Sequence, residues 1–267
     1  MKLFLQHNNK KYSNFDLIKA FENLGIKKGD ILCVDSELFK FGTPLLKKNE
    51  FLQTIIDCFF EVIGKEGTLI MPTFTYKFCK NGIYNKLNSK SEVGILTEYF
   101  RKWGGVIRTN DPIFSFAIKG AKQDLFLKDT KSCFEENCVY DVLWKNNGKI
   151  ILFGTHLVGY TFTHFIEEIT KVPYRYFKNF SGILIDESGK KIQKNITYYV
   201  RKLEENSLIC EQKQINLLKE NNNFNIINFA GSCIVSIESK GYFLDTLKYL
   251  KNNPYSLLKD KNDNQHK

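Results

Sequence analysis

Four side chains that could take part in acid–base chemistry lie close together in one short segment of the sequence. Thr161, His164, Glu167 and Glu168 recur at steps of three and four residues, so on a helix they would be neighbours on one polar face. A carboxylate one turn from an imidazole fixes the ring tautomer and stabilises the protonated ring. The spacing therefore predicts either an acid–base site at His164 or a surface histidine paired with a glutamate.

A predicted strand leads into this segment. Residues 149–153 form an apolar run of strand length, and the pattern breaks at Gly154 and Thr155. From residue 161 the apolar positions have helical spacing, at Phe162, Phe165, Ile166 and Ile169. The polar side chains would then lie where a helix begins beyond the carboxyl end of a strand, the usual ligand crevice of an open α/β sheet.

The preceding residues predict alternating helices and strands. A helix capped by Ser13 precedes an apolar strand at 31–34, and a helix capped by Asn49 precedes a second strand at 68–71. Neither strand alternates apolar with polar residues, which is typical of a parallel sheet covered on both faces. We expect an α/β fold with three layers, in which a central, mostly parallel sheet is flanked by helices.

Further elements are predicted along the rest of the chain. They are a mobile loop at 77–90, a helix at 91–103, a strand at 114–118, a β-hairpin within 182–200, a helix at 203–219, strands at 224–229 and 233–237, and a helix at 241–250. We expect a single domain over 1–258, with an appended β-hairpin/α+β C-terminal subregion from about residue 175. The charged stretch 259–267 predicts a disordered tail.

Composition narrows the class of protein. The 267 residues are 43% apolar, enough for a sizeable core, and no apolar run has the length of a membrane span or the character of a signal peptide. The seven cysteines form no C-x-x-C pair, and Cys133 and Cys138 lack the second pair that a zinc site would need. We expect a soluble, cytoplasmic protein with reduced cysteines, no metal and no membrane partner.

The charge and the absent motifs narrow the ligand. The net charge is +10, but the lysines are scattered and give no nucleic-acid signature. A basic field favours an anionic ligand over a polycationic one. The G-x-G-x-x-G, Walker A and G-x-S-x-G motifs are absent, so dinucleotide, ATP and serine-hydrolase chemistry lack their usual sequence support.

Six blocks of the sequence, in order, resemble the antibiotic N-acetyltransferase family, which comprises the aminoglycoside 3-N-acetyltransferases and their relatives. The blocks are LGIKKGDILCVDSEL at 24–38, EGTLIMPTFT at 66–75, SEVGILTEYFR at 91–101, RTNDPIFSFAIKG at 108–120, GKIILFGT with TFTHFIEE within 148–168, and YLKNNPYSLL at 249–258. The resemblance implies direct transfer of an acetyl group from acetyl-CoA to an amine. It leaves the acceptor and the oligomeric state open, with a homodimer as one option.

The resemblance gives the polar helix a catalytic role. An amine is mostly ammonium at neutral pH and must lose a proton before it attacks a thioester, and a positioned imidazole contributes about 10²–10⁴ in rate. Of the four histidines, His164 alone falls on the polar helical face. We therefore expect His164 as the general base and Glu167 as its partner. Thr161 would bind the substrate or the thioester oxygen, or cap the helix.

The resemblance also suggests where coenzyme A binds. The loop after the first strand, with Ser36, Leu38 and Gly42, resembles the family's loop against the pantetheine and the phosphates. The matching later blocks add polar side chains that suit a pyrophosphate, at Thr73, Thr75, Arg108 and Ser115. The alternative for each threonine is ordinary turn chemistry.

Two positions depart from the family pattern. Asp35 stands where the pattern V-H-S-S has histidine, and Asp111 stands where R-S-x-H-P has histidine. Either aspartate could contribute to the charge around His164. Both would add local negative charge, which suits a cationic acceptor.

The net charge leads us to expect a nucleotide-linked amino sugar of surface-glycan synthesis as the acceptor, ahead of an aminoglycoside, whose acetylation would give antibiotic resistance. Two other classes stay open. One is a protein that binds CoA or a glycan precursor without catalysis. The other is a hydrolase in which His164 and Glu167 activate water.

Overall fold

The computed structural model describes residues 1–260. Its strands are β1 (Leu3–His7), β2 (Lys10–Ser13), β3 (Ile31–Ser36), β4 (Thr43–Pro44), β5 (Thr68–Pro72), β6 (Ile83–Asn85), β7 (Ile107–Arg108), β8 (Phe116–Gly120), β9 (Lys149–Phe153), β10 (Arg175–Ile185), β11 (Lys191–Arg201), β12 (Asn225–Phe229) and β13 (Ser232–Glu238). Its helices are α1 (Asn14–Asn23), α2 (Lys48–Ile63), α3 (Phe78–Asn81), α4 (Ile95–Phe100), α5 (Val139–Lys145), α6 (Phe162–Thr170), α7 (Glu211–Glu220) and α8 (Ser239–Asn252).

A mixed sheet with the strand order β12-β13-β9-β3-β5-β8-β7 forms the centre of the fold. Its three middle strands, β9, β3 and β5, are parallel, and the strands on either side pair antiparallel. The middle strands are buried along nearly their whole length, because helices cover both faces. The predicted α/β fold is confirmed, with the parallel pairing confined to the middle of the sheet.

The two faces of the sheet have separate cores. Strand residues alternate between them: Ile31 and Cys33 pack with α5, α6 and α8, whereas Leu32 and Val34 pack with α1, α2 and α4. We call these the α6 face and the α2 face. Side chains that follow one another at the carboxyl end of β3 therefore point into different halves of the molecule.

A long hairpin forms a second sheet. Strands β10 and β11 pair over eleven residues each, and β6 adds to β10 in parallel. The hairpin is longer than predicted, and the segment 77–90, predicted as a mobile loop, instead contains α3 and β6. At the crossing, a Cβ on Gly182 would lie 2.1 Å from the carbonyl oxygen of Gly82, so only glycine allows the backbones to come this close.

Several local predictions are corrected by the structure. The helix predicted at 91–103 is shorter because Gly94 has φ of 144° and ends the helical path before Ile95. Helix α2 begins at Lys48 rather than after an Asn49 cap, and no side chain caps it. The capping box of Ser13 is confirmed.

The C-terminal region is not wholly appended. Strand β13 pairs with β9 and so completes the central sheet, while only the β10–β11 hairpin stands apart from it. Of the predicted tail, residues 261–267 lie outside the described part, whereas the Lys259 amide donates to the Leu208 carbonyl. Within residues 1–260, none of the helices has both the length and the apolar character that crossing a membrane requires.

Candidate active site

His164 lies in the first turn of α6 and forms a compact charged group with two other residues. Its Nδ1 is 2.7 Å from Glu167 Oε2 and 2.9 Å from Arg175 Nη2. Arg175 Nη2 is also 2.8 Å from Glu167 Oε2. Helical spacing brings Glu167 to the histidine, whereas Arg175 reaches both from the start of β10. The predicted pairing of His164 with Glu167 is therefore present in the structure.

The burial of this group favours one tautomer of His164. The Glu167 side chain is fully buried while that of His164 is 29% exposed, so the carboxylate supports the ring from inside. An ionised carboxylate only accepts hydrogen bonds, so it favours a proton on Nδ1 and leaves the lone pair on Nε2. Arg175 Nη2 opposes this preference, because a donor beside Nδ1 favours a lone pair on that nitrogen. The opposition is weak, since the same Nη2 also donates to the carboxylate of Glu167.

The same contacts set the charge of the site. Burial lowers the pKa of His164 and the Arg175 guanidinium lowers it further, against the opposite influence of Glu167. Burial acts to raise the pKa of Glu167, but the hydrogen bond and charge of His164 and the charge of Arg175 outweigh it and lower this pKa. The Tyr174 hydroxyl donates to Glu167 Oε1 at 2.9 Å. The group thus holds a neutral imidazole beside a permanent carboxylate.

The polar face of α6 is buried rather than solvated. Glu168 is 2% exposed and accepts a 2.6 Å hydrogen bond from the Ser132 hydroxyl, away from the histidine. Thr161 has helical backbone angles and makes no capping hydrogen bond, so the N-cap alternative is wrong. Ile169, predicted on the buried stripe, is 40% exposed.

Aromatic side chains form a wall beside His164. The ring of Phe134 is 6.5 Å from the imidazole and 5.9 Å from Tyr198 of β11. Phe114 continues the wall from Tyr198 to Tyr76, which is 44% exposed. The hairpin contributes Tyr198 to this set of rings, and Tyr76 directly precedes the segment 77–90. Phe114 and Phe134 are buried, so Tyr76 and the half-buried Tyr198 are the rings that can meet the apolar face of a sugar.

A groove of about 600 Å³ lies on the α2 face, at the carboxyl end of β3. It contains three of the predicted cofactor residues, Ser36, Leu38 and Gly42. It is otherwise lined by other residues of the segment 37–46, by α2 and by Gly94 and Ile95. The Ser36 hydroxyl is buried there without a hydrogen-bond partner. No side chain caps α2, and its first residue, Lys48, also lines the groove. A free hydroxyl, an apolar groove and a bare helix start suit a pantetheine arm and its phosphates.

The other predicted cofactor residues do not line this groove. Arg108 is 4% exposed and donates to the Thr73 hydroxyl at 3.0 Å, the Thr73 carbonyl at 2.5 Å and the Ser89 carbonyl at 2.6 Å. The Ser115 hydroxyl donates to the Thr73 carbonyl and the Thr75 hydroxyl to the Pro112 carbonyl. These side chains bind one another and nearby carbonyl groups in an internal network of hydrogen bonds. The assignment of Thr73, Thr75, Arg108 and Ser115 to coenzyme A is therefore corrected to a structural role.

The two aspartates that depart from the family pattern have different environments. Asp111 Oδ1 accepts from the backbone amides of Ile113 and Phe114 at 2.8 and 2.7 Å, so this aspartate stabilises a turn. Asp35 lies at the carboxyl end of β3 and faces the α6 side, where its charge contributes to the raised pKa of Tyr140. Within residues 1–260, no cluster of three or more histidine, cysteine or acidic side chains could hold a metal ion.

Sequence reasoning missed Arg175 and Tyr174. Both follow Pro173 in a stretch that carries no recognisable motif, and they reach Glu167 only because the hairpin folds back on α6. The one signal in the sequence for these two residues is a basic residue between aromatic residues, a few positions beyond a helix with two glutamates.

Comparison with known proteins agrees with this architecture. The structure of AAC-IIIb with CoASH is 17% identical, with 90% of this chain and 97% of that chain covered and a TM-score of 0.77. A mutant of AAC(3)-IVa in complex with a gentamicin is 19% identical, with 97% and 95% covered and a TM-score of 0.78. The YokD protein from Bacillus subtilis is 20% identical, with 91% and 100% covered and a TM-score of 0.75. At these identities the likeness establishes the fold.

The family follows from the sequence itself. Residues 34–227 match the model of the aminoglycoside 3-N-acetyltransferases. This range includes the carboxyl end of β3, helix α6 and the β10–β11 hairpin. The fold and this match define an acyltransferase. More narrowly, the chain belongs to the aminoglycoside 3-N-acetyltransferase family.

Proposed function

We propose that this protein transfers an acetyl group from acetyl-CoA to a primary amine of an aminoglycoside, with His164 as the general base. The observation that carries the proposal is the imidazole held at Nδ1 by a fully buried carboxylate, 2.7 Å away, with its ring partly exposed. Such an arrangement leaves Nε2 free to accept a proton from an incoming amine.

The residues around His164 each contribute to the proton transfer. His164 Nε2 takes a proton from the attacking nitrogen as the new N–C bond forms, and the C–S bond breaks when the thiolate leaves. Glu167 holds the ring in place and stabilises the imidazolium that results. The released proton then passes from the imidazolium to the thiolate or to solvent, which restores the neutral base.

Acetyl-CoA would occupy the groove on the α2 face and supplies the activated acetyl group. Ser36 would donate to the pantetheine or the thioester, and Leu38 and Gly42 would line its path. The first turn of α2, with Lys48 beside it, would bind the phosphates. The AAC-IIIb structure with CoASH supports a family site for this ligand.

Two observations favour an aminoglycoside over a nucleotide-linked amino sugar. The relative AAC(3)-IVa was solved with a gentamicin, and Asp35 places a carboxylate on the same side of the sheet as α6. This local negative charge suits several ammonium groups. The nucleotide-linked amino sugar stays the second candidate, because the net charge of +10 favours an anionic acceptor.

The test combines an acceptor panel with variants of one helix. Purified protein and acetyl-CoA are mixed with gentamicin, sisomicin and nucleotide-linked amino sugars, and free thiol is followed. We expect turnover with the aminoglycosides, a loss in kcat of about 10²–10⁴ for His164→Ala, and an unchanged CoA affinity. Ile169→Ala, an exposed position on the same helix, is the matched control and should keep full activity.

Other outcomes identify the alternatives. Undiminished transfer by His164→Ala would remove the proposed base. CoA binding without turnover of any acceptor would indicate a binding protein, and thiol release at the same rate without an amine would indicate a hydrolase. Turnover of nucleotide-linked amino sugars alone would reverse the order of the acceptors.

A further inference from the structure

Asp35 is a carboxylate without a partner at the centre of the fold. It lies on the middle strand of the sheet and is half-buried, and its side chain makes no hydrogen bond or ion pair within residues 1–260. Neither of its oxygens is sealed off from solvent, since they are absent from the buried atoms that lack partners. Charged groups at such depth normally have a partner, because removing them from water is costly.

The surroundings of Asp35 place it on the same side of the sheet as His164. Strand alternation puts it with Ile31 and Cys33 on the α6 face. The loop between β9 and α6 packs against it, since a Cβ on Gly159 would lie 3.0 Å from the Asp35 Cβ and 3.3 Å from its Cγ. Its charge also raises the pKa of Tyr76, which belongs to the aromatic wall beside the base.

The other carboxylates near His164 are already satisfied. Glu167 binds His164, Arg175 and Tyr174. Glu168 accepts from Ser132 through Oε1, and its Oε2, although it has no partner, is buried out of reach of a ligand. Asp111 accepts two backbone amides. Burial without a compensating cation raises the pKa of Asp35 to about 7, as expected for a site that lacks its counter-charge. Asp35 is therefore the carboxylate on this face that is available to a ligand.

We propose that Asp35 binds a second ammonium group of the acceptor, distinct from the amine that loses its proton to His164. This inference rests on the proposed function and deepens it. It makes Asp35 a specificity-determining residue that selects acceptors with two or more amines over those with one. The family pattern has histidine at this position, so the contact through Asp35 would be particular to this chain.

The decisive experiment compares acceptors with the variant Asp35→Asn. Asparagine keeps the size and the hydrogen-bonding oxygen but removes the charge. We expect KM for a polyamine acceptor such as sisomicin to rise about 10- to 100-fold, which is the range of one charge-assisted contact. We expect kcat, KM for acetyl-CoA and KM for a single-amine sugar such as glucosamine to stay within about threefold.

Asp57→Asn is the matched control, because it removes the same charge from an exposed position on α2. It should leave every constant unchanged. An unchanged KM for sisomicin in Asp35→Asn would overturn the inference. An equal rise for the single-amine sugar would also overturn it, since that result would indicate a general disturbance of the cleft.

Calorimetric binding of sisomicin in the His164→Ala background separates this inference from the proposed function. There Asp35→Asn must weaken binding by the same 10- to 100-fold factor, without any turnover. A wild-type protein that binds sisomicin through Asp35 but does not acetylate it would contradict the proposed function and leave the ammonium site in place. If sisomicin is acetylated but binds equally well with and without the Asp35→Asn substitution, the proposed function stands and the ammonium site at Asp35 is contradicted.

Discussion

Arg175 acts together with burial to lower the pKa of His164, the proposed base. It touches both the imidazole and Glu167, and its side chain is 1% exposed. It neutralises the buried carboxylate, yet its charge also disfavours imidazolium. The site therefore keeps the ring neutral and available to accept a proton, while Glu167 is ready to stabilise the charge that arrives.

The first prediction concerns the titration of His164. Its pKa lies below the ordinary value of 6.5, because burial and Arg175 disfavour the charged ring. Replacing Arg175 with glutamine removes one of these influences, so the pKa should rise and the acid limb of kcat/KM should move to higher pH. NMR titration of the ring gives an independent measurement. A shift to lower pH would contradict this account.

The second prediction concerns Glu168, whose pKa is raised by burial from 4.5 to about 7. Because the folded state holds this proton more tightly than the unfolded state, its contribution to stability is complete below pH 4.5 and is lost as the pH rises through 7. Glu168→Gln cannot ionise, so it should be more stable than the wild type at pH 8, by about 1–3 kcal/mol. At pH 4 the two should be equal in urea unfolding, and a gain that is the same at both pH values would contradict the prediction.

Among the elements, the segment between β5 and α4 is held by the pairing of β6 with β10, by Arg101, which donates to the Leu87 carbonyl, and most extensively by Arg108. Arg108 donates to carbonyl groups of Thr73, Lys86 and Ser89, and its guanidinium lies 4.9 Å from the Tyr84 ring. These contacts tie 77–90 to the end of β5 and explain why the segment is ordered. The aromatic wall beside His164 depends on this order, because Tyr76 begins the segment.

The third prediction tests this structural role. Arg108→Lys keeps the charge but loses the planar fork of donors, so the free energy of unfolding should fall by about 2–3 kcal/mol. The dissociation constant of CoA should stay within about twofold, as measured by calorimetry. Ser36→Ala should show the opposite pattern, with a stable fold and weaker CoA binding. A large loss of CoA affinity in Arg108→Lys alone would restore the cofactor role expected from sequence.

The same comparison shows what the sequence can and cannot predict. Strands β3, β5 and β9 were recognisable from apolar runs, and His164 and Glu167 from helical spacing, because these patterns are local. The hydrogen-bond partners of Arg108 and Arg175 were not recognisable, because they lie on segments that are distant in sequence and meet only in the folded chain. A polar residue after a strand looks the same in sequence whether it meets a ligand or a neighbouring carbonyl, as Thr73 and Ser36 illustrate.

In the whole molecule, the proposed donor and acceptor approach from different sides of the sheet. The groove with Ser36 lies on the α2 face, whereas Asp35 and the helix α6 that carries His164 lie on the α6 face. Asp35 and Ser36 are consecutive residues at the carboxyl end of β3. Neither reactant would need to leave before the other binds. The predictions of a cytoplasmic location, a single domain over 1–258 and a homodimer stay predictions.

The fourth prediction follows from this geometry. Initial rates measured against both substrates should give intersecting lines, as for a ternary complex, and CoA alone should raise Tm because it binds the folded state. Parallel lines would indicate an acetylated enzyme intermediate and would contradict direct transfer. Gentamicin should raise Tm further in the presence of CoA, since the two sites do not overlap.

Side chains alternate between the two faces of the sheet at the end of β3, so two consecutive residues are directed to the proposed sites of two different substrates. Asp35 and Ser36 are covalent neighbours, yet in the proposed function Asp35 would bind the amine acceptor and Ser36 would bind acetyl-CoA. A substitution at Asp35 can therefore change the acceptor specificity without changing the binding of acetyl-CoA. Inserting a single residue just before Asp35 would exchange the two orientations and disable both halves at once.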